Sequence, residues 1–231
     1  SFLLLLYDYE NEIPTLADIP RVLTDDKFRA DKLSREQNPL IVQFWKQEAE
    51  KAGGEAALAN IAPYISTKVD TFISNEFLRP IINQQKSAFS FREAMDNKKI
   101  LICNLSKGKI GDINAQLLGL LIVGKLLMAA FSRIDMPEDL RQDFFLYMDE
   151  FQNFTTDSIA TILSEARKYR LNLIIAHQFI KQLPDKIRDA VFGNVGSMVV
   201  FRIGPDYSEY LKNKFEPVFT PSDLSNIDNL N

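Results

Sequence analysis

Four short apolar runs constrain this chain more than any other feature. They are Ile100 to Asn104, Phe144 to Met148, Leu171 to Ala176 and Ser197 to Phe201. Each has strand length and is bounded by polar or turn residues. Such runs fit strands buried on both faces. Helical spacing fills the gaps between them. One helix is expected from about Asn114 to Ile134 and another from Pro184 to Phe192. Between these, Asp157 can cap a helix in which Ile159, Ile162, Leu163 and Ala166 recur at i, i+3, i+4 and i+7. Ser106-Lys107-Gly108 reads as a turn. Strand, helix, strand, helix, strand, helix, strand is the pattern of a parallel α/β sheet with helices on its faces.

The residues before about 95 read differently. Phe2 to Tyr9 looks like the end of a helix. Thr15 to Leu23 carries Leu16, Ile19, Val22 and Leu23 on one face. Asn38-Pro39 is a helix-start signal ahead of Ile41, Phe44, Trp45 and Glu48. Gly53-Gly54 breaks the pattern. A long helix is then expected over Glu55 to Ser74, with Pro63 marking a kink or boundary. The expected organisation is an all-helical domain over 1–95 and an α/β domain over 96–231.

Composition narrows the function. The chain has 231 residues, 46% hydrophobic and 25% charged, which excludes a disordered chain, a collagen and a long coiled coil. Its 27 basic and 31 acidic residues give a net charge of −4, so wholesale coating of a nucleic acid is excluded while a local basic patch is not. One cysteine, Cys103, excludes an internal disulfide framework and fits a reducing compartment. One histidine leaves no His-rich metal site. The apolar stretch Leu117 to Phe131 is expected to fall short of the roughly 20 residues a membrane helix needs. Ser1 at the start and Asn226 to Asn231 at the end suggest an excerpt from a longer chain.

In open α/β sheets, ligands sit beyond the carboxyl ends of the strands. The second run ends in Asp149-Glu150. Apolar residues followed by Asp-Glu form the Walker B pattern of nucleotide hydrolases. Asp149 would hold Mg²⁺, usually through water, and Glu150 would polarise the attacking water. A pair of acids in a solvated turn is the bland alternative. The third run ends in Ala176-His177-Gln178, where the Gln178 amide could orient the γ-phosphate and the water. A plain polar strand end is equally simple. Arg202, after the fourth run, and Arg167, before the third, are candidate arginine fingers. A solvated helix face for Arg167 and a salt bridge for Arg202 are the alternatives.

A phosphate cradle is missing. The near match Gly119 to Leu126 has Leu126 where a Mg²⁺-binding hydroxyl is needed, and it lies inside a helix pattern. Gly119 and Gly124 are expected to allow close helix packing instead. A true P-loop is expected upstream of Ser1, so this chain alone should bind nucleotide poorly.

Several segments, taken in order, resemble the FtsK/HerA-type motor ATPases, and within them the type IV coupling proteins of the TraD/TraG group. They are Lys99 to Gly108, Leu118 to Val123, Phe145 to Phe154, Leu163 to Arg170, Ala176 to Gln178, Phe192 to Gly204 and Phe219 to Leu224. The likeness covers about 75–231. It implies a RecA-like sheet of the P-loop NTPase type, preceded by an all-helical inserted domain over 1–95. It implies a homohexameric ring that hydrolyses ATP with Mg²⁺ while single- or double-stranded DNA passes through its channel. Carried onto this sequence, Asp149 and Glu150 match Walker B and Gln178 the strand-end glutamine. Arg167 and Arg202 fall where family arginines approach a neighbouring subunit's nucleotide, and which of them acts is left open. A relaxase or type IV secretion components would be partners. The location would be cytoplasmic, at the inner face of the cell membrane, with any membrane anchor outside this chain. Lys107, Lys109, Lys181, Lys186 and Arg188 are candidate channel residues, with ordinary surface charge as the alternative. Two other readings stand beside this one. One is a HerA-like motor for DNA processing; the other is an interaction module that kept the fold and lost its P-loop.

Overall fold

The computed structural model of the chain describes residues 2–7, 12–49, 55–154, 159, 163 and 165–228. The expected Gly53-Gly54 break, the Asp157 cap and most of the helix after it lie outside the described residues. The chain divides into two compact units. One holds Ser1–Ser90 and Ile102–Leu118, the other Phe91–Leu101 and Gly119–Asn231.

The first unit is helical. Its elements are α1 (Phe2–Tyr7), α2 (Asp18–Thr24), α3 (Asp26–Arg35), α4 (Pro39–Gln43) with a π-helical turn over Phe44–Ala49, α5 (Glu55–Ile73), α6 (Arg79–Ile82) and α8 (Lys107–Ile110). Local signals set the starts. Asp25 caps α3 by accepting from Phe28 N–H at 3.0 Å, and Asn38 caps α4 by accepting from Leu40 N–H at 3.0 Å. Burying Ile19, Val22 and Leu23 of α2 against Leu58 and Ala62 of α5, with Trp45 beside them, makes the core of this unit. Each fully buried aliphatic side chain contributes about 1.5–3 kcal/mol. α5 runs through Pro63 as one helix, and Pro63 is exposed, so the carbonyl it leaves unbonded faces water. The expected turn at Ser106 to Gly108 is instead the cap and start of α8.

The second unit is α/β. It contains α7 (Phe91–Asp96), the greater part of α9 (Asp112–Ser132), β1 (Phe144–Met148), β2 (Leu171–Ile175), α10 (Asp185–Asn194), α11 (Pro205–Phe215) and α12 (Pro221–Ser225). β1 and β2 pair in parallel, with Phe144 opposite Leu171 and Met148 opposite Ile175. Val123, Leu126, Ala129 and Ala130 of α9 pack under the sheet with Met148, Leu171, Ile187 and Val191. By length and composition alone, α9 and the turn after it, Asp112–Asp135, could cross a membrane, the most apolar window within them having a mean hydropathy of 1.9. That corrects the shorter span expected from Leu117 to Phe131. A Cβ on Gly124 would meet nothing within 4 Å, so this glycine does not serve close helix packing.

Two expected strands are corrected. Ile100 to Asn104 and Ser197 to Phe201 join no ladder; among the described residues the sheet has two strands. Apolar residues supply strand propensity, but a strand forms only where a neighbour offers free N–H and C=O groups in register. Residues 197–203 form no regular element, with a bend at Arg202. Met198, Val200 and Ile203 turn inward onto Ile180, Leu211 and Leu224, while Val199 is 81% exposed. Ile100 is 90% exposed. The pair β1 and β2 is also buried on one face only. Phe144, Leu146, Met148, Leu171, Leu173 and Ile175 face the core, and Tyr147, 72% exposed, shares the open face with Phe145 and Ile174.

Buried Arg133 anchors the amino edge of this sheet. It is fully buried at the end of α9. Its guanidinium donates to Asp96 Oδ1 at 2.9 Å and to the carbonyls of Gln142 and Tyr169 at 2.8 and 3.0 Å. Those carbonyls lie just before β1 and β2. Burial pulls the Arg133 pKa down, and the Asp96 carboxylate pushes it back up.

Candidate active site at the carboxyl edge of the strand pair

Parallel pairing brings the two strand ends side by side. Beyond Ile175 the ladder continues for two more bonds. Ala176 N–H donates to the Met148 carbonyl, and Phe151 N–H donates to the Ala176 carbonyl, both at 2.9 Å. These bonds clamp the Asp149-Glu150 turn against Ala176-His177-Gln178. Phe151, fully buried, fixes the far side of the turn.

Reversing the chain so tightly puts Glu150 at φ +49°, in the left-handed region that side chains other than glycine enter at a cost of about 1–2 kcal/mol. Its backbone N–H donates to Asp149 Oδ1 at 2.9 Å. Its carboxylate is held at both oxygens. Gln178 Nε2 donates to Oε1 at 2.6 Å, and Gln152 Nε2 donates to Oε2 at 2.5 Å. Asp149 is exposed beside it. His177 is half-buried, with Nδ1 lacking a hydrogen-bond partner, and burial lowers its pKa below 6.5.

The structure thus brings Asp149, Glu150 and Gln178 to one edge. It does not join Arg167 or Arg202 to them. Arg167 lies in a 3-10 turn, Ala166–Tyr169, at the amino end of β2. A five-residue strand, about 16 Å long, separates that end from Glu150. Arg202 lies in a bend after residues 197–201 and is exposed. Among the described residues neither guanidinium has a hydrogen-bond or ion-pair partner, so the salt bridge weighed for Arg202 is not formed.

The basic candidates are largely neutralised. Lys181 pairs with Asp206 at 2.9 Å, which raises its pKa. Arg188 pairs with Asp185 at 2.9 Å, and Lys107 lies 3.6 Å from Asp112. Lys109 and Lys186 are exposed.

Sequence reasoning missed Gln152. Its signal was a pair of amides, Gln152-Asn153, between two aromatic residues directly after the acid pair. It also missed Arg133, which reads in sequence as the polar end of an apolar helix.

Among the described residues no group of three or more His, Cys, Asp or Glu side chains could enclose a metal ion. A single exposed carboxylate such as Asp149 suits Mg²⁺, which keeps most of its water and takes further oxygens from phosphate. The near match to a phosphate loop, Gly119 to Leu126, lies inside α9, where its backbone N–H groups are spent on helix bonds. Among the described residues no glycine-rich turn between a strand and a helix offers free backbone N–H groups to a phosphate. No protein-family profile, no curated protein and no solved structure matches the chain.

Proposed function

We propose that this chain belongs to an ATP-hydrolysing nucleic-acid translocase of the FtsK/HerA type, in the manner of the type IV coupling proteins. One observation carries the reading: Glu150, beside Asp149 at the end of a parallel strand with one face on the core, is met at 2.6 Å by Gln178 from the neighbouring strand end. An acid pair and an amide at the carboxyl edge of parallel strands can serve phosphoryl transfer to water. The parallel pair would be part of a RecA-like sheet, and the helical unit an inserted domain.

ATP and Mg²⁺ would supply the phosphoryl group and neutralise its charge. Asp149 would hold the ion through water. Glu150 would take the proton of the attacking water. Gln178 would leave Glu150 to meet the γ-phosphate. Arg167 and Arg202 are exposed, and their guanidinium groups have no partner among the described residues, which suits them to reach a neighbouring subunit of a hexamer. DNA in the ring channel would contact few residues of each subunit, which agrees with a net charge of −4. A relaxase or secretion components, and a place at the inner face of the membrane, follow from the same proposal.

The test is displacement of a triplex-forming oligonucleotide from duplex DNA by the protein in its full natural length. Release that requires hydrolysable ATP is the expected result. ATP turnover without release would make the protein an ATPase of another task. Absence of both would favour the interaction module.

A further inference from the structure

The two amides on Glu150 are held in different ways. Gln152 is two residues away in the Phe151–Phe154 turn, and its bond to Oε2 is partly buried. That turn is fixed by fully buried Phe151, by the Phe151 N–H bond to Ala176, and by Asn153 N–H donating to the Glu150 carbonyl at 2.9 Å. Gln178 stands in a bend beyond β2, and its bond to Oε1 is exposed. A ligand arriving at this edge can draw Gln178 away. Gln152 starts from a turn whose backbone is anchored on three sides, and its bond is the more shielded of the two.

We propose that Gln152 is a positioning residue, which keeps Glu150 Oε2 in place while Gln178 exchanges between Oε1 and phosphate. Oε1 is then the oxygen that accepts the proton. Water gives that proton to Oε1, and its oxygen bonds to the γ-phosphorus. The bond from that phosphorus to the bridging oxygen breaks, ADP leaves, and Glu150 passes the proton to solvent. The inference rests on Glu150 being the general base.

Two variants separate packing from hydrogen bonding. Gln152→Ala removes the side chain, and Gln152→Met keeps its length without a donor. Both are expected to lower kcat for ATP by about 10- to 100-fold with KM unchanged, the scale of a misplaced catalytic group. In the chain itself, the side-chain amide NMR signals of Gln152 should move on Glu150→Gln. Unmoved signals overturn the proposal, as does full turnover in Gln152→Met while Glu150→Gln is inactive. Full turnover in Glu150→Gln as well overturns the functional reading, and the positioning role with it.

Discussion

Glu150 carries strain, charge and contact at one backbone position. Its φ of +49° costs energy that the buried Phe151 and the two inter-strand bonds offset. Strain alone does not mark the site, because Arg170 and Lys98 are also left-handed and lie elsewhere. What distinguishes Glu150 is the pair of amides on its carboxylate. The acid pair was legible in sequence, as four or more apolar residues followed by Asp-Glu. Gln178 was legible as a polar strand end. Their meeting was not, because it depends on the register that sets Met148 against Ile175. His177 permits a prediction at this scale. Burial holds its pKa below 6.5 in the folded chain, so the unfolded chain binds the proton more readily. This residue's contribution to stability is present above pH 6.5 and is lost as pH falls below it towards the folded pKa. Denaturant midpoints measured from pH 7.5 to 5 should fall less steeply for His177→Asn than for the native chain. Parallel curves would contradict the assignment.

At the scale of elements, β1, β2 and α9 were legible because length, apolar continuity and flanking turns all agreed. Ile100 to Asn104 and Ser197 to Phe201 had the same apolar content and formed no ladder. Their composition fixes an extended preference but not a partner, and the alternation of Met198 inward with Val199 outward satisfies residues 197–203 without one. Arg133 was hidden for the opposite reason. Nothing in a helix pattern shows that its polar end will be enclosed by the starts of two later strands. Its guanidinium holds α7, α9 and both strand entries through Asp96, Tyr169 and Gln142. Arg133→Ala should therefore cost about 3 kcal/mol, the low end of the range for breaking a buried pair, because Asp96 keeps some solvent contact. Urea unfolding measures this directly. A loss below about 1 kcal/mol would show that the network is not structural.

At the scale of the whole molecule, a change in the sequence pattern near Lys98 suggests a helical part over 1–95 and an α/β part over 96–231. The structure assigns Ile102–Leu118 to the helical unit and Phe91–Leu101 to the α/β unit, an interleaving that no local pattern could show. The open face of the strand pair, with Phe145 and Tyr147, was equally hidden, since an apolar run reads the same whether one face or both are covered. What unites these levels is a cluster at one sheet edge, Asp149 beside Glu150 with two glutamines on the Glu150 carboxylate; on the proposed function Asp149 would hold an ion and Glu150 would take a proton. Steady-state ATP hydrolysis by Glu150→Gln tests it most directly, in the protein at its full natural length and with nucleotide binding measured on the same sample. Retained ATP binding with turnover lowered by at least about 100-fold is the expected result, the low end of the range for losing a general base. Unimpaired turnover would contradict the account.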